Sequence, residues 1–487
     1  SLASAALDVE RLHPRVQGWL LRLDRYLPLL LDGVTGGLLA PELLGAEGPR
    51  RYLILIQNED ELRGTGGFIS GVGEAIVDNG QLQTLQFEDS YAVDDFSQPY
   101  PEPPWPLRDT MLADLWVFRD SNWSPDFPTS AEKAIELYTI SRQVEIDGVI
   151  ALDQEAIRLL VGVIGPLRVN GTAEPVDGGN VIRLARQAWV PLGGSDSEWW
   201  KQRKDFMGGV VDAAVRRAEA GMDRRSLLEL ARAARQALQQ RHLLIYLRQP
   251  DVAESLAEAG WDGRLRQVDG DYLMVVDTNV GFNKVNGLVK ESLLYAVDLT
   301  DPGLPQATLI VRHEHPLSGW QGRCDQTPRY DDTYQQMMER CYWNYLQVLL
   351  PSSAELTGAT PHAVRGEALL SGKPSPAEVS VQYGETGHRV LGTLLLLRPG
   401  ETLDTRFEYA LSHATLRAEG DVYTYRLTVQ KQPGTRRPDL QVRVLLPPTA
   451  VLKQSDPAPD AILASGPEYA LTLETDQSIT LTFGPDF

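Results

Sequence analysis

Between Arg51 and Gly73 the chain reads RYLILIQNEDELRGTGGFISGVG, and no other stretch restricts the fold as much. Tyr52-Leu53-Ile54-Leu55-Ile56 is an unbroken apolar run with polar residues on either side, the pattern of a strand covered on both faces of its sheet. It passes into Gln57-Asn58-Glu59-Asp60-Glu61, then Leu62-Arg63, then Gly64-Thr65-Gly66-Gly67. In an open α/β sheet, ligands gather beyond the carboxyl end of a central strand, so this polar, glycine-rich segment is a candidate site. The alternative is a tight turn between two strands with solvated charges. The glycine spacing fits neither GxxxxGKS/T nor GxGxxG, so no nucleotide-binding loop is implied.

The 487 residues suffice for two or three domains, and 43% apolar with 23% charged residues is the balance of an ordinary folded protein. A formal charge of −20 argues against nucleic acid and anionic membrane surfaces as non-specific partners. A polyanionic substrate therefore requires a local basic pocket. No apolar run approaches the roughly 20 residues of a membrane span. The chain begins at Ser1 rather than methionine, so an N-terminal segment is expected to have been removed. The two cysteines, Cys324 and Cys341, share one segment, which favours a local disulfide in an oxidising compartment over two buried thiols.

Helical periodicity over residues 4–32 predicts an amphipathic lead-in helix. Strands are expected at 53–56, 68–77 and 82–88, the last two joined by a hairpin at Asp78-Asn79-Gly80. The aromatic loop around Arg119-Asp120-Ser121-Asn122-Trp123 leads to a helix capped near Thr129-Ser130. Arg119, Asp120 and Asp126 thus precede a helix N-terminus, a place suited to anions, unless Arg119 and Asp120 simply pair and brace the loop. A strand at 144–153, a helix at 154–163, a short strand at 167–169 and a long helical region over 197–237 complete an alternation of strands and helices. Strands are next expected at 242–246, 272–277, 293–299, 307–313 and 342–349, and after 378 only strand-like runs remain. The reading is an α/β (α+β) sheet with flanking helices, followed by a C-terminal antiparallel β-sandwich. Its divisions are a helical lead-in (1–45), an α/β domain (46–241), a mixed β region (242–375) and the sandwich (376–487).

His313 and His315 alternate along a strand end, which suits either a metal or a structural role. There is no GxSxG nucleophile elbow. The tryptophan-rich segments at 116–123 and 199–200 suit sugar stacking or simple core packing.

With these residues laid out, the sequence resembles an uncharacterised extracytoplasmic bacterial family, number four thousand and twelve among the domains of unknown function. The matching motifs are Tyr52–Asn58 with Glu61–Phe68, and Arg119–Pro128; Asp147–Asp153, Arg203-Lys204-Asp205, Asp277-Thr278-Asn279 and Tyr342–Pro351 extend the match over roughly residues 40–351. The resemblance implies one N-terminal membrane helix and an outward-facing body in the cell envelope. More distantly, residues 50–215 resemble the LytR-CpsA-Psr domain, whose members transfer glycopolymers from a polyprenyl pyrophosphate lipid to the cell wall. Thr65 stands where that family has an Asp, and Met207-Gly208 where it has a further Arg.

For chemistry on a pyrophosphate the candidate catalytic groups are Arg63 and Arg203, at positions similar to that family's motifs, with Arg119 and Asp120 from the aromatic loop; the candidate Mg2+ ligands are Asp60 and Asp205, again at motif positions, with Asp126 from the loop. Asn58, Gly66, Gly67, Lys204 and Trp123 are the candidate substrate contacts. Planar guanidinium forks suit pyrophosphate oxygens, and carboxylates suit Mg2+. Two functions follow: a transferase acting on polyprenyl pyrophosphate-linked glycans, and a non-catalytic envelope protein whose α/β body binds glycan or lipid.

Overall fold

The computed structural model describes residues 33, 36, 37, 39–188, 196–329, 331, 333–384 and 386–485, with the side chains of 196–205 outside that description. The helix expected over 4–32 lies outside the described residues. The strand at the centre of the sequence reading exists, but it does not stop at Ile56. β1 spans Arg50–Arg63 and forms an antiparallel hairpin with β2 (Gly66–Asp78), which pairs in turn with β3 (Gln81–Asp89). Asn79 (φ 48°) and Gly80 (φ 77°) both take the left-handed backbone that a two-residue hairpin loop requires. On its other edge β1 runs parallel to β4 (Gly148–Leu152), and β4 pairs antiparallel with β5 (Leu243–Leu247). The sheet order is β3-β2-β1-β4-β5.

Alternation along β1 divides its side chains between two helical layers. Leu53 and Leu55 pack with Phe127, Ala131 and Leu137 on helix Phe127–Ser141. Ile54 and Ile56 pack with Ile157 and Val161 on helix Gln154–Ile164 and with Phe206 and Val210 on helix Asp196–Glu219. Cover on both faces is why the run carries no polar residue. The long helical region expected over 197–237 is two helices, Asp196–Glu219 and Arg224–Gln239. They part at Gly221, whose φ of 90° no α-helix accommodates.

β6 (Asp271–Asn279), β7 (Lys290–Asp298), β8 (Gln306–Glu314) and β9 (Tyr342–Leu350) fall where strands were expected. They do not form a region of their own. β6 and β9 share an eight-stranded sheet with strands Arg389–Leu397, Val422–Val429 and Gln477–Pro485. β7 and β8 share a seven-stranded sheet with Thr402–Ala410, Asp439–Leu445 and Gly466–Thr472. The division expected at 376 is therefore replaced by one sandwich running from Asp271 to Pro485. Likewise β5, beyond the division at 241, belongs to the first sheet. Parallel pairing of β6 with Val422–Val429 and of β7 with Asp439–Leu445 joins distant segments, and strand alternation alone cannot name such partners. The sandwich core is formed by side chains such as Leu273, Tyr295, Val348, Phe407 and Tyr425. Cys324 and Cys341 form the expected disulfide, tying a loop without regular structure to the start of β9.

One carboxyl lies inside this core. Asp271 Oδ2 accepts hydrogen bonds of 2.5 Å from the hydroxyls of Tyr295 and Tyr425. Burial pushes its pKa up to about 6, and the two hydroxyls only partly offset that. A carboxyl raised on folding contributes stability below its unfolded pKa of about 3.9, and that contribution is lost as pH rises through the folded value. Asp271→Asn keeps an acceptor for both tyrosines and should gain about 3 kcal/mol on the wild type between about pH 4 and pH 7. Urea unfolding at both pH values checks this; a difference between variant and wild type that does not change with pH contradicts it.

Candidate functional site

Gln57–Arg63 is a continuation of β1, with register shifts between Ile56 and Gln57 and between Asn58 and Leu62. Tightness of the turn matches one of the two sequence expectations, but solvation of its charges does not: Glu59, Asp60, Glu61 and Arg63 are all buried. The bulged end of β1 meets the sandwich, and charges from both halves of the chain close around it.

Arg63 is 1% exposed. Its Nη2 lies 3.1 Å from Glu61 Oε1 and 3.6 Å from Asp120 Oδ1, and its Nη1 donates to the carbonyls of Leu62 and Asn279. Lys284, from the loop after β6, pairs with Glu61 Oε2. Burial pushes the Glu61 carboxyl up, but the Lys284 ammonium and the Arg63 guanidinium outweigh it and hold the pKa below the usual range. Glu59 behaves oppositely: burial, with Asp153 and Asp60 beside it, pushes its carboxyl well above the usual range.

Asp60 was expected to bind Mg2+; the structure gives its oxygens to other donors. Arg186 Nη2 lies 2.8 Å from both, Tyr334 Oη donates at 2.6 Å and Arg436 Nη2 at 3.2 Å. Asp126, also expected on the metal, caps helix Phe127–Ser141 by accepting from Thr129 N and Oγ1, and its second oxygen accepts from Leu265 N. That places the cap three residues before the expected threonine. With both carboxylates committed to protein donors, these residues do not fit a Mg2+ site.

The remaining expected residues divide as follows. Asp120 meets Arg63, as above, whereas Arg119 turns to Asp94 at 3.4 Å and lies 4.4 Å over the Tyr91 ring. Asn58 accepts from Gln154 and donates to Tyr334, so it braces the junction. A Cβ at Gly66 would stand 2.0 Å from Gln57 Oε1 and one at Gly67 2.0 Å from the Asn58 carbonyl carbon; close approach of protein atoms explains both glycines without a phosphate. Trp123 is buried, 5.7 Å from the Tyr345 ring, in a cluster with Leu107 and Trp343. Arg203, Lys204 and Asp205 fall on helix Asp196–Glu219, with side chains outside the described residues. Of the two arginines whose side chains are described, Arg63 is buried and Arg119 faces Asp94, so these two do not share one open surface. Sequence reasoning missed Arg186, Tyr334, Arg436, Lys284 and Gln432, whose Nε2 donates to the carbonyls of Arg63 and Asp277. The only signal was that Lys284 stands in a polar loop directly after a strand.

The structure does contain a concave site, on the β1–β3 side of the sheet. A cavity of about 1210 Å³ is walled by Ile56, Phe87, Leu184, Phe206, Met207 and Val211. Glu88, Asp89, Glu174, Asp212 and Arg216 contribute its polar lining. Arg142 binds Glu88 bidentately at 2.6 and 2.7 Å, and Arg183 pairs with Glu174 at 2.5 Å. With Glu88 and Glu174 paired to Arg142 and Arg183, the charges left on the described rim are Asp89, Asp212 and Arg216; this is no cationic cradle, and it suits a neutral or apolar guest better than a bare polyanion.

An α/β layer docked on a β-sandwich through a buried ionic junction is the class of protein these features define. Within it, residues 47–189 match the model of the family described as "Protein of unknown function (DUF4012)", a shorter span than the motifs suggested. No curated protein matches the chain. Among solved structures, B. subtilis TagV aligns at 11% identity over 44% of this chain and 81% of its own, with a TM-score of 0.26. Lin1025 from Listeria innocua aligns at 13% identity over 44% and 80%, with a TM-score of 0.25. A transcriptional regulator from Enterococcus faecalis aligns at 15% identity over 47% and 78%, also at 0.25. Superpositions this weak bear on neither fold nor function.

If the end of β1 is a structural junction, Arg63→Ala leaves the buried Glu61 with Lys284 alone and the half-buried Asp120 without its cation, and should cost about 3–5 kcal/mol of unfolding free energy. Chemical denaturation measures it, and a change under 1 kcal/mol contradicts the junction.

Proposed function

We propose that the protein is a non-catalytic binding protein of the bacterial cell envelope whose α/β body houses the apolar chain of a lipid-linked glycan. The observation that carries this reading is the cavity of about 1210 Å³ walled by Ile56, Phe87, Leu184 and Phe206. It is larger than the roughly 300–1,000 Å³ of an ordinary small-molecule pocket and suits a long flexible chain. The commitment of Arg63, Asp60 and Asp126 to internal partners speaks for binding rather than pyrophosphate transfer, since chemistry on a pyrophosphate needs cations and carboxylates free to meet it. Support for an extracytoplasmic location comes from the Cys324–Cys341 disulfide, while the match over 47–189 supports the family resemblance alone. The membrane attachment implied by that family resemblance is part of the proposal.

Without a cluster of cations among its described lining residues, the cavity takes its affinity from the chain rather than from the headgroup. A polyprenol and the corresponding polyprenyl phosphate should therefore bind within a few-fold of each other in native mass spectrometry or fluorescence titration. Leu184→Asp, which puts a charge on the apolar wall, should weaken both at least tenfold. Failure of both lipids to bind sinks the reading, and Mg2+-dependent transfer of a glycan from a lipid donor by the purified protein refutes its non-catalytic part.

A further inference from the structure

The sandwich contains a second group of polar side chains that the α/β body does not use. Glu291 on β7 and His313 on β8 are direct cross-strand partners, so both project from one face of the seven-stranded sheet. Asp277 reaches them from β6 in the facing eight-stranded sheet. His313 Nε2 lies 2.9 Å from Asp277 Oδ2 and 3.8 Å from Glu291 Oε2, and one ligand atom from each of the three lies within 4.8 Å of the others. His315, its neighbour in the sequence pattern, is absent from the group: its Nε2 pairs with the Arg340 carbonyl at 3.2 Å.

We infer that Asp277, Glu291 and His313 form a binding site for a single divalent transition cation between the two sheets. Ligands about 2.1 Å from a tetrahedral ion stand about 3.4 Å apart, and the two distances from the imidazole bracket that value. One imidazole with two carboxylates is a donor set for zinc or manganese rather than for calcium or magnesium. Hydrogen bonding leaves the group incomplete. Asn344 donates to Asp277 Oδ1, but Glu291 Oε2 has no hydrogen-bond partner. The hydroxyl of Tyr342, whose side chain is 0% exposed, has no partner of acceptable geometry either, although Asp277, Asn286 and Glu291 stand beside it. A cation at the centre neutralises both carboxylates and gives the phenol a role as fourth donor. Ligation through Nε2 leaves His313 Nδ1 without a hydrogen-bond partner, as it already is, and sets a cation between two carboxylates that share one imidazole.

The test uses the untagged full chain, stripped with chelator, dialysed, and titrated with zinc and separately with manganese. Bound metal is read by elemental mass spectrometry and Tm by calorimetry. The expected result is one tight equivalent of either ion with a rise in Tm, and loss of that equivalent in Glu291→Gln, which preserves the side chain's size. Cobalt(II) absorption of the wild type reports imidazole and oxygen ligation without any variant. The proposal is overturned if the wild type takes up neither ion tightly, if Glu291→Gln takes up as much as the wild type, or if bound cobalt shows only the spectrum of the aqueous ion; the three groups then form a proton-sharing cluster.

Discussion

A lysine, an arginine and a glutamate withdrawn from water at the far end of β1 are the contact on which the relation between the two halves of this protein depends. Glu61 belongs to the α/β sheet and Lys284 to the sandwich, and Arg63 ties both to the Asn279 carbonyl at the end of β6. The same boundary carries Arg241 with Asp476 at 2.8 Å and Arg436 with Asp60 at 3.2 Å. Each pairs a residue of the α/β half with one from the sandwich. Arg436 reaches in from the surface, but Glu61, Arg63, Lys284 and Arg241 are buried, and charges so placed are tolerated only when their partners are present, so the junction favours one docking geometry over its competitors.

The junction explains a pattern that otherwise suggests a binding loop. A strand feeding into Gln57-Asn58-Glu59-Asp60-Glu61 reads as a strand that has ended, because strands rarely bury consecutive polar residues. Here they stay in the strand because their partners arrive from elsewhere in the chain: Arg186 and Tyr334 for Asp60, Lys284 for Glu61, and Gln154 for Glu59. The glycines after them let the returning strand and the loop at Trp123 approach within contact distance; a Cβ at Gly64 would stand 2.3 Å from the Trp123 carbonyl oxygen. Polar residues and glycines that resemble a ligand cradle are thus accounted for by the fold, while the cavity lies to one side, against the apolar part of the same sheet.

What could be read in advance follows from how local each signal is. The Asn79-Gly80 hairpin, the two-sided burial of Leu53–Ile56 and most sandwich strands depend on neighbouring residues, and the structure has them. The disulfide was readable because its two cysteines close one short loop. The single sandwich from Asp271 to Pro485 was not, because β6 and β7 each pair in parallel with a strand far along the chain. The fate of the candidate residues was hidden for the same reason: nothing near Asp60 announces Arg186 or Arg436, and nothing near His313 announces Asp277.

The central claim is that the Glu61–Lys284 pair couples the α/β sheet to the sandwich. A double-mutant cycle with Glu61→Gln and Lys284→Met, read by equilibrium unfolding of the full chain, measures that coupling directly. The account predicts an interaction energy of about 1.5–3 kcal/mol, the upper part of the roughly 0.5–3 kcal/mol found for residues in direct contact. Additivity of the two substitutions within about 0.5 kcal/mol would show that the halves do not rely on this pair and would contradict the account.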